Sequence, residues 1–248
     1  LASEGTNQSA TGTCANRAGL SASDTQPGIN IDKTAPTITF LSRLPAANGN
    51  GWNSADVTIT WSCTNSLSPI LSGTVTQTLT AEGAAQSATG MCQDQAGNTA
   101  SNTQSGINID KTAPTGVSLV PSGTLGNNGW YTSNVTITTT GTEAVSGPLT
   151  CTGVQSLTTE TASATFNGSC TNLAGFTSNA APLTLKRDAT NPTITFLNRT
   201  PANGNGWNNG DVTLNWSCTD AMSGPVDGTI TQTATAEGAN QSSTATCF

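Results

Sequence analysis

Between Asp56 and Thr64 the chain alternates strictly, with Val57, Ile59, Trp61 and Cys63 separated by Thr58, Thr60 and Ser62. A strand points successive side chains to opposite faces, so this stretch predicts a β-strand with one face buried and one wet. The pattern returns at Val212, Leu214, Trp216 and Cys218, and in shortened form at Val135 and Ile137, where Thr139 and Gly141 stand in the places of Trp61 and Cys63. Around these runs lie further short extended segments (Ile38 to Leu41, TVTQTL at 74–79, QSATGMC at 86–92, SGINI at 105–109). Turn signals separate them: NGNGW at 48–52, a Ser/Pro/Gly-bearing stretch at 66–73 and DQAGN at 94–98. No helical period interrupts them. Six or seven short strands per repeat with turns between them predict an all-β fold built of Greek-key β-sandwiches.

The pattern is periodic. GINIDKTAPTITF at 28–40 returns as GINIDKTAPTGVSL at 106 and more weakly as LTLKRDATNPTITF at 183, so that Asp32, Asp110 and Asp188, and Pro36, Pro114 and Pro192, recur every 78 residues. A period of this length is one small domain, and the proline marks its border, because it fixes φ, donates no ladder hydrogen bond and holds its predecessor extended. The expected organisation is the back half of a repeat at 1–35, whole repeats at 36–113 and 114–191, and the front part of another at 192–248. A chain that opens and closes within a repeat is expected to be a slice of a longer array.

Composition narrows the function classes. Only 8% of residues are charged, against about 25% in an ordinary globular protein, so Thr, Ser, Asn and Gln do most of the solvating. A net charge of −7 with seven scattered Lys and Arg residues offers no basic patch for nucleic acid or an anionic membrane. Histidine is absent, which removes the commonest general base and metal ligand. No apolar run is long enough to span a bilayer.

The period also orders the seven cysteines. Cys63 and Cys92 lie 29 residues apart, as do Cys218 and Cys247, and Cys14 corresponds to Cys92, which places its partner outside the chain. Cys170 corresponds to Cys92 as well, but Cys151 corresponds to Gly73, so in that repeat one anchor of the bridge moves to a neighbouring strand. Zinc-type spacing and histidine are both missing, leaving one disulfide per repeat as the economical reading. Each bridge contributes roughly 3 to 4 kcal/mol by restricting the unfolded chain, which matters for a core as small as a domain of about 80 residues can bury. Trp61 and Trp216 share a strand face with Cys63 and Cys218 and are expected to pack on the sulfur pairs. Disulfides in every module imply an oxidising, secreted location.

The motifs IDKTAPT at 31–37 and 109–115, DQAGNTAS at 94–101, DVTITWSCT at 56 and DVTLNWSCT at 211 make the chain similar to the bacterial Ig-like repeat domains strung in tandem in large surface proteins and adhesins. The resemblance covers essentially the whole chain. It implies tandem immunoglobulin-like sandwiches serving as stalks or fibre bodies, with calcium at the junctions of some members. Asp32, Asp94, Asp110 and Asp188 are the calcium candidates here. Calcium takes about six to eight oxygens, and one or two carboxylates per junction fall short of that, so the competing reading is that each Asp caps its own turn.

Other groups have plainer readings. Glu4, Glu82, Glu160 and Glu237 recur in register, which suits a turn residue better than a catalytic acid. Trp52, Trp130 and Trp207 suit an apolar lid on the sandwich better than a sugar platform. Lys33 and Lys111 sit in a polar junction unsuited to isopeptide chemistry. Asn134, Asn167 and Asn198 fit the glycan-acceptor pattern. The leading expectation is a non-catalytic structural array, extracellular or on the cell surface, whose partners are neighbouring copies or repeats. A ligand-binding adhesin module with a host or sugar ligand, and an accessory region of a secreted enzyme, are the alternatives.

Overall fold

Threonine and β-branched side chains pack well on a pleated surface and lose rotamer freedom in a helix, and the backbone follows that preference from end to end. The computed structural model describes residues 1–248 and holds strands, one 3-10 turn at Asn127–Gly129 and no α-helix. Strands β1 (Gly5–Ala15), β2 (Ser21–Ile31), β3 (Thr37–Leu44), β4 (Val57–Thr64), β5 (Thr74–Leu79), β6 (Gly83–Gln93) and β7 (Thr99–Ile109) come first. They are followed by β8 (Thr115–Ser122), β9 (Trp130–Tyr131), β10 (Val135–Thr142), β11 (Thr150–Cys151), β12 (Gln155–Leu157), β13 (Thr161–Phe166), β14 (Ser169–Thr171), β15 (Thr177–Asn179) and β16 (Leu183–Arg187). The last are β17 (Thr193–Arg199), β18 (Val212–Thr219) and β19 (Thr229–Ala234).

Two compact units emerge: Leu1–Pro114 with the loops Glu143–Leu149 and Thr171–Thr177, and the remainder, Thr115–Thr142, Thr150–Cys170 and Ser178–Phe248. Packing therefore departs from the 78-residue period at two loops, and the reason is Asp110, whose side chain gathers them, as described below.

In the first unit, β3-β4-β5 form an antiparallel meander, and hairpins β1-β2 and β6-β7 form two-stranded sheets. Five strands thus build residues 36–113, fewer than the sequence suggests, because β6 and β7 are each 11 residues long. The alternating face of β4 is fully used: Val57, Ile59 and Trp61 join Ala88, Ile107 and Ile109 in the core, with Ile38, Val75 and Leu79 packed around them. Gly90 belongs to this core for a steric reason. A Cβ there would stand 2.5 Å from the Trp61 indole, so only glycine lets the ring lie flat against β6.

The second unit holds β12-β10-β8, β13-β16-β9, β17-β18-β19 and the small sheet β11-β14-β15. Its core gathers Val135, Ile137, Leu157 and Leu185, with Leu119, Tyr131, Ala164, Phe166 and Leu183 against them. Thr139 replaces the tryptophan, and the lost volume is supplied from across the core by Phe166, which stands where Ala88 stands 78 residues earlier. The exchange is imperfect, for the Thr139 hydroxyl is buried without a hydrogen-bond partner.

Candidate functional site

The recurring I-D-K-T linker is held from both ends. Behind it, in the EG turn of the preceding hairpin, Glu82 Oε1 accepts hydrogen bonds from the Lys111 backbone N–H at 2.6 Å and the Thr112 hydroxyl at 2.9 Å. Glu4 does the same for Lys33 and Thr34 (2.6 and 3.0 Å), and Glu160 for Ala189 and Thr190 (3.1 and 2.6 Å). The recurring glutamate is therefore a linker clamp. A capping bond within the linker completes each turn, from the Thr34, Thr112 and Thr190 N–H groups to Asp32, Asp110 and Asp188.

Ahead of the linker, the free carboxylate oxygen of each aspartate reaches loops of the following repeat. Asp32 Oδ2 accepts from Asn65 Nδ2 at 3.1 Å and the Ser68 N–H at 2.9 Å. The same Asn65 amide donates to Asp94 Oδ2 at 2.9 Å, and Asn98 donates to Asp94 and to the Asp32 carbonyl. At the next junction Asn172 Nδ2 donates to Asp110 Oδ2 and to Glu143 Oε2, both at 2.9 Å, and the Ser146 hydroxyl donates to Asp110. Each site thus joins two carboxylates through one amide, but with the roles exchanged. Glu143 stands where Asn65 stands, and Asn172 where Asp94 stands, so the charge balance survives while both positions change. At the third junction the Ser223 N–H donates to Asp188 at 3.0 Å, and Asp220 caps the turn beside it by accepting from the N–H groups of Met222, Ser223 and Gly224.

The bonding shifts the acids. Asp32 is held below its ordinary value chiefly by the Ser68 side chain, with the Thr34 and Ser68 N–H groups and Asn65 adding to it, and these outweigh burial. Burial alone would raise Asp94, but the Asn98 side chain and N–H, with Ser68, overcome it and leave the carboxyl lowered. Glu143 is the same case: burial raises it, and the Val145 N–H, the Asn172 amide and the Ala144 and Ser146 N–H groups bring it down. Asp188 is lowered first by the Ser223 side chain, against burial, with help from the Thr190 and Ser223 N–H groups. Carboxylates bonded in this way favour their ionised form.

Among the calcium candidates, Asp32 and Asp94 come together, whereas Asp110 and Asp188 lie at separate junctions; no group of three or more carboxylate, Cys or His side chains converges anywhere. The oxygens a cation would take are already directed at Asn, Ser and backbone donors. Pro36 and Pro114 are buried just before β3 and β8, and Pro192 is half-buried before β17. The cysteines are bonded as Cys63–Cys92, Cys151–Cys170 and Cys218–Cys247, and Cys14 is free and exposed. Trp61 is buried and donates from Nε1 to Asn102 at 3.0 Å, while Trp216 is half-buried, edge-on to Phe196. Trp52 is buried, Trp130 carries the Lys186 ammonium 5.1 Å above its ring, and Trp207 is 57% exposed, so the three do not form a common lid. Lys111 pairs with Asp56 in solvent, and Lys33 donates to the Ala2 carbonyl. Asn134, Asn167 and Asn198 are exposed.

Sequence reasoning passed over Asn65, Ser68, Asn98, Glu143, Ser146, Asp220 and Ser223. The serines were the available signal, since Ser68, Ser146 and Ser223 recur with the period in otherwise variable loops. No protein-family model and no curated protein sequence matches the chain.

Proposed function

We propose that the chain is a run of Ig-like Greek-key modules forming the non-catalytic body of an extracellular bacterial fibre or cell-surface stalk, a slice of a longer array joined head to tail. The observation that carries this reading is the two-sided clamp on each linker. Glu82 grips Lys111 and Thr112 from behind, and Asp110 is seated ahead among Ser146 and Asn172. A flexible tether has no use for a buried aspartate, whereas a stalk that transmits tension needs junctions whose backbone is fixed. The hairpin register supports the modular part of the reading: Gly5↔Ile31, Gln8↔Ile29 and Cys14↔Ala22 in β1-β2 reappear 78 residues later as Gly83↔Ile109, Gln86↔Ile107 and Cys92↔Ala100. Three disulfides and the lack of any helix long and apolar enough to cross a membrane suit the extracellular placement.

Electron microscopy of producing cells with antibody raised against the chain tests the role. Label following filaments or stalks outside the cell is the expected result. Label confined to the cytoplasm would end the proposal.

A further inference from the structure

The first hairpin and the last sheet are unpaired halves of an interface that the chain displays complete in its own middle. There, β6-β7 supplies Ala88, Ile107 and Ile109 to the face of β3-β4-β5, and none of these side chains is more than 1% exposed. Hairpin β1-β2 has the same register and presents Ala10, Gly12, Cys14, Ile29 and Ile31 in the same places. Yet Ala10, Gly12 and Cys14 are exposed and the two isoleucines only half-buried. On sheet β17-β18-β19, Val212, Leu214 and Trp216 are also half-buried, beside an open cleft of about 900 Å³ lined by Trp207, Val212, Leu214, Ala234 and Gln241 among others. The chain's own residues 241–248 correspond to β6 but form no strand. A steric reason is at hand: Ala245 stands where Gly90 stands, the place at which a Cβ meets the tryptophan ring at 2.5 Å. Hairpin β1-β2 carries glycine there, at Gly12, with open space around it.

We propose that hairpin β1-β2 of one copy docks on sheet β17-β18-β19 of a second copy, replacing residues 241–248 and bringing Cys14 to the Cys218–Cys247 bridge. Because one chain carries both surfaces, it is its own partner, and the contact repeats head to tail. Gly12 lies under Trp216, while Ile29 and Ile31 enter the cleft that Ile107 and Ile109 fill in the complete repeat. The covalent step is thiol–disulfide exchange: the Cys14 thiolate attacks the Cys218 sulfur, the Cys218–Cys247 bond breaks, and its electron pair leaves on Cys247 as thiolate. The number of disulfides is unchanged and no oxidant is consumed. This docking rests on the reading of the chain as an array of like modules.

The test uses the full chain at mildly alkaline pH and rising concentration, with non-reducing electrophoresis, peptide mapping and sedimentation. Expected are a ladder of covalent multimers, Cys14–Cys218 links and one newly alkylatable Cys247 per link. Cys14→Ser loses the ladder but keeps concentration-dependent association. Gly12→Val leaves the monomer's melting temperature and circular dichroism intact, since nothing lies within 4 Å of Gly12 in the free hairpin, yet weakens association at least about tenfold. A chain that stays monomeric with Cys14 unreacted, that forms only Cys14–Cys14 dimers, or that links Cys14 to Cys218 only within monomers overturns the proposal. None of those results touches the module reading, which is judged by where the protein lies on the cell.

Discussion

Ala85 has φ +55°, a left-handed conformation that a Cβ disfavours, while the equivalent residues in the flanking repeats are Asn7 and Asn240 at φ +53° and +59°. The Ala85 N–H bonds to Asn108 Oδ1 at 2.7 Å, so the surroundings impose the conformation. Asparagine tolerates this region better than alanine, and Ala85→Asn is expected to raise stability by up to about 1 kcal/mol, read from the urea midpoint. Gly90→Val acts in the opposite sense. Its Cβ would meet the Trp61 ring, and overpacking of this kind costs roughly 1 to 3 kcal/mol. These residues also mark what sequence alone conveys. Alternation places Val57, Ile59 and Trp61 on one buried face, because a period of two is written directly into neighbouring letters. That Gly90 is obligatory, or that Phe166 makes up for the missing tryptophan at Thr139, depends on side chains that meet across the core from distant strands, and no local pattern encodes it.

At the scale of the element, the clamp explains why linkers only five or six residues long hold their course. The three-residue bridge of acid, amide and acid was hidden in the sequence because its parts exchange positions between repeats: Asn65 and Asp94 in one, Glu143 and Asn172 in the next. Viewed one position at a time, the change from Asp94 to Asn172 looks like loss of a site; viewed as a pair, it is conservation of charge. The bridge has a pH signature. Asp32, Asp94 and Asp188 are lowered from 3.8 and Glu143 from 4.5, so their contribution to stability is fully present above those unfolded-state values and is lost as pH falls through the folded ones. Thermal melts taken from about pH 6 to about pH 2 should show the midpoint falling mainly below about pH 4. Asp94→Asn should flatten part of that fall, and a profile identical to the parent's would count against the bridge. Asp110→Ala would leave Asn172 and Ser146 without their buried acceptor, with an expected loss of about 1 to 3 kcal/mol in denaturant unfolding.

For the whole molecule, the account is mechanical: β-modules whose disulfides limit how far each can be drawn out, joined by linkers fixed at both ends. The all-β class and the module length are legible because the strand pattern and the period are properties of the whole sequence, whereas the grouping of loops Glu143–Leu149 and Thr171–Thr177 with the first unit is set by one buried side chain, Asp110. Single-molecule stretching of the chain, with and without reductant, tests the account most directly. Cys63–Cys92 and Cys218–Cys247 each close a span of 29 residues, which extends to about 100 Å once opened, at about 3.5 Å per residue. The account predicts discrete unfolding steps, with reductant lengthening the step of the Cys63–Cys92 module by about 100 Å. Featureless extension at low force, or steps of unchanged length after reduction, would contradict it.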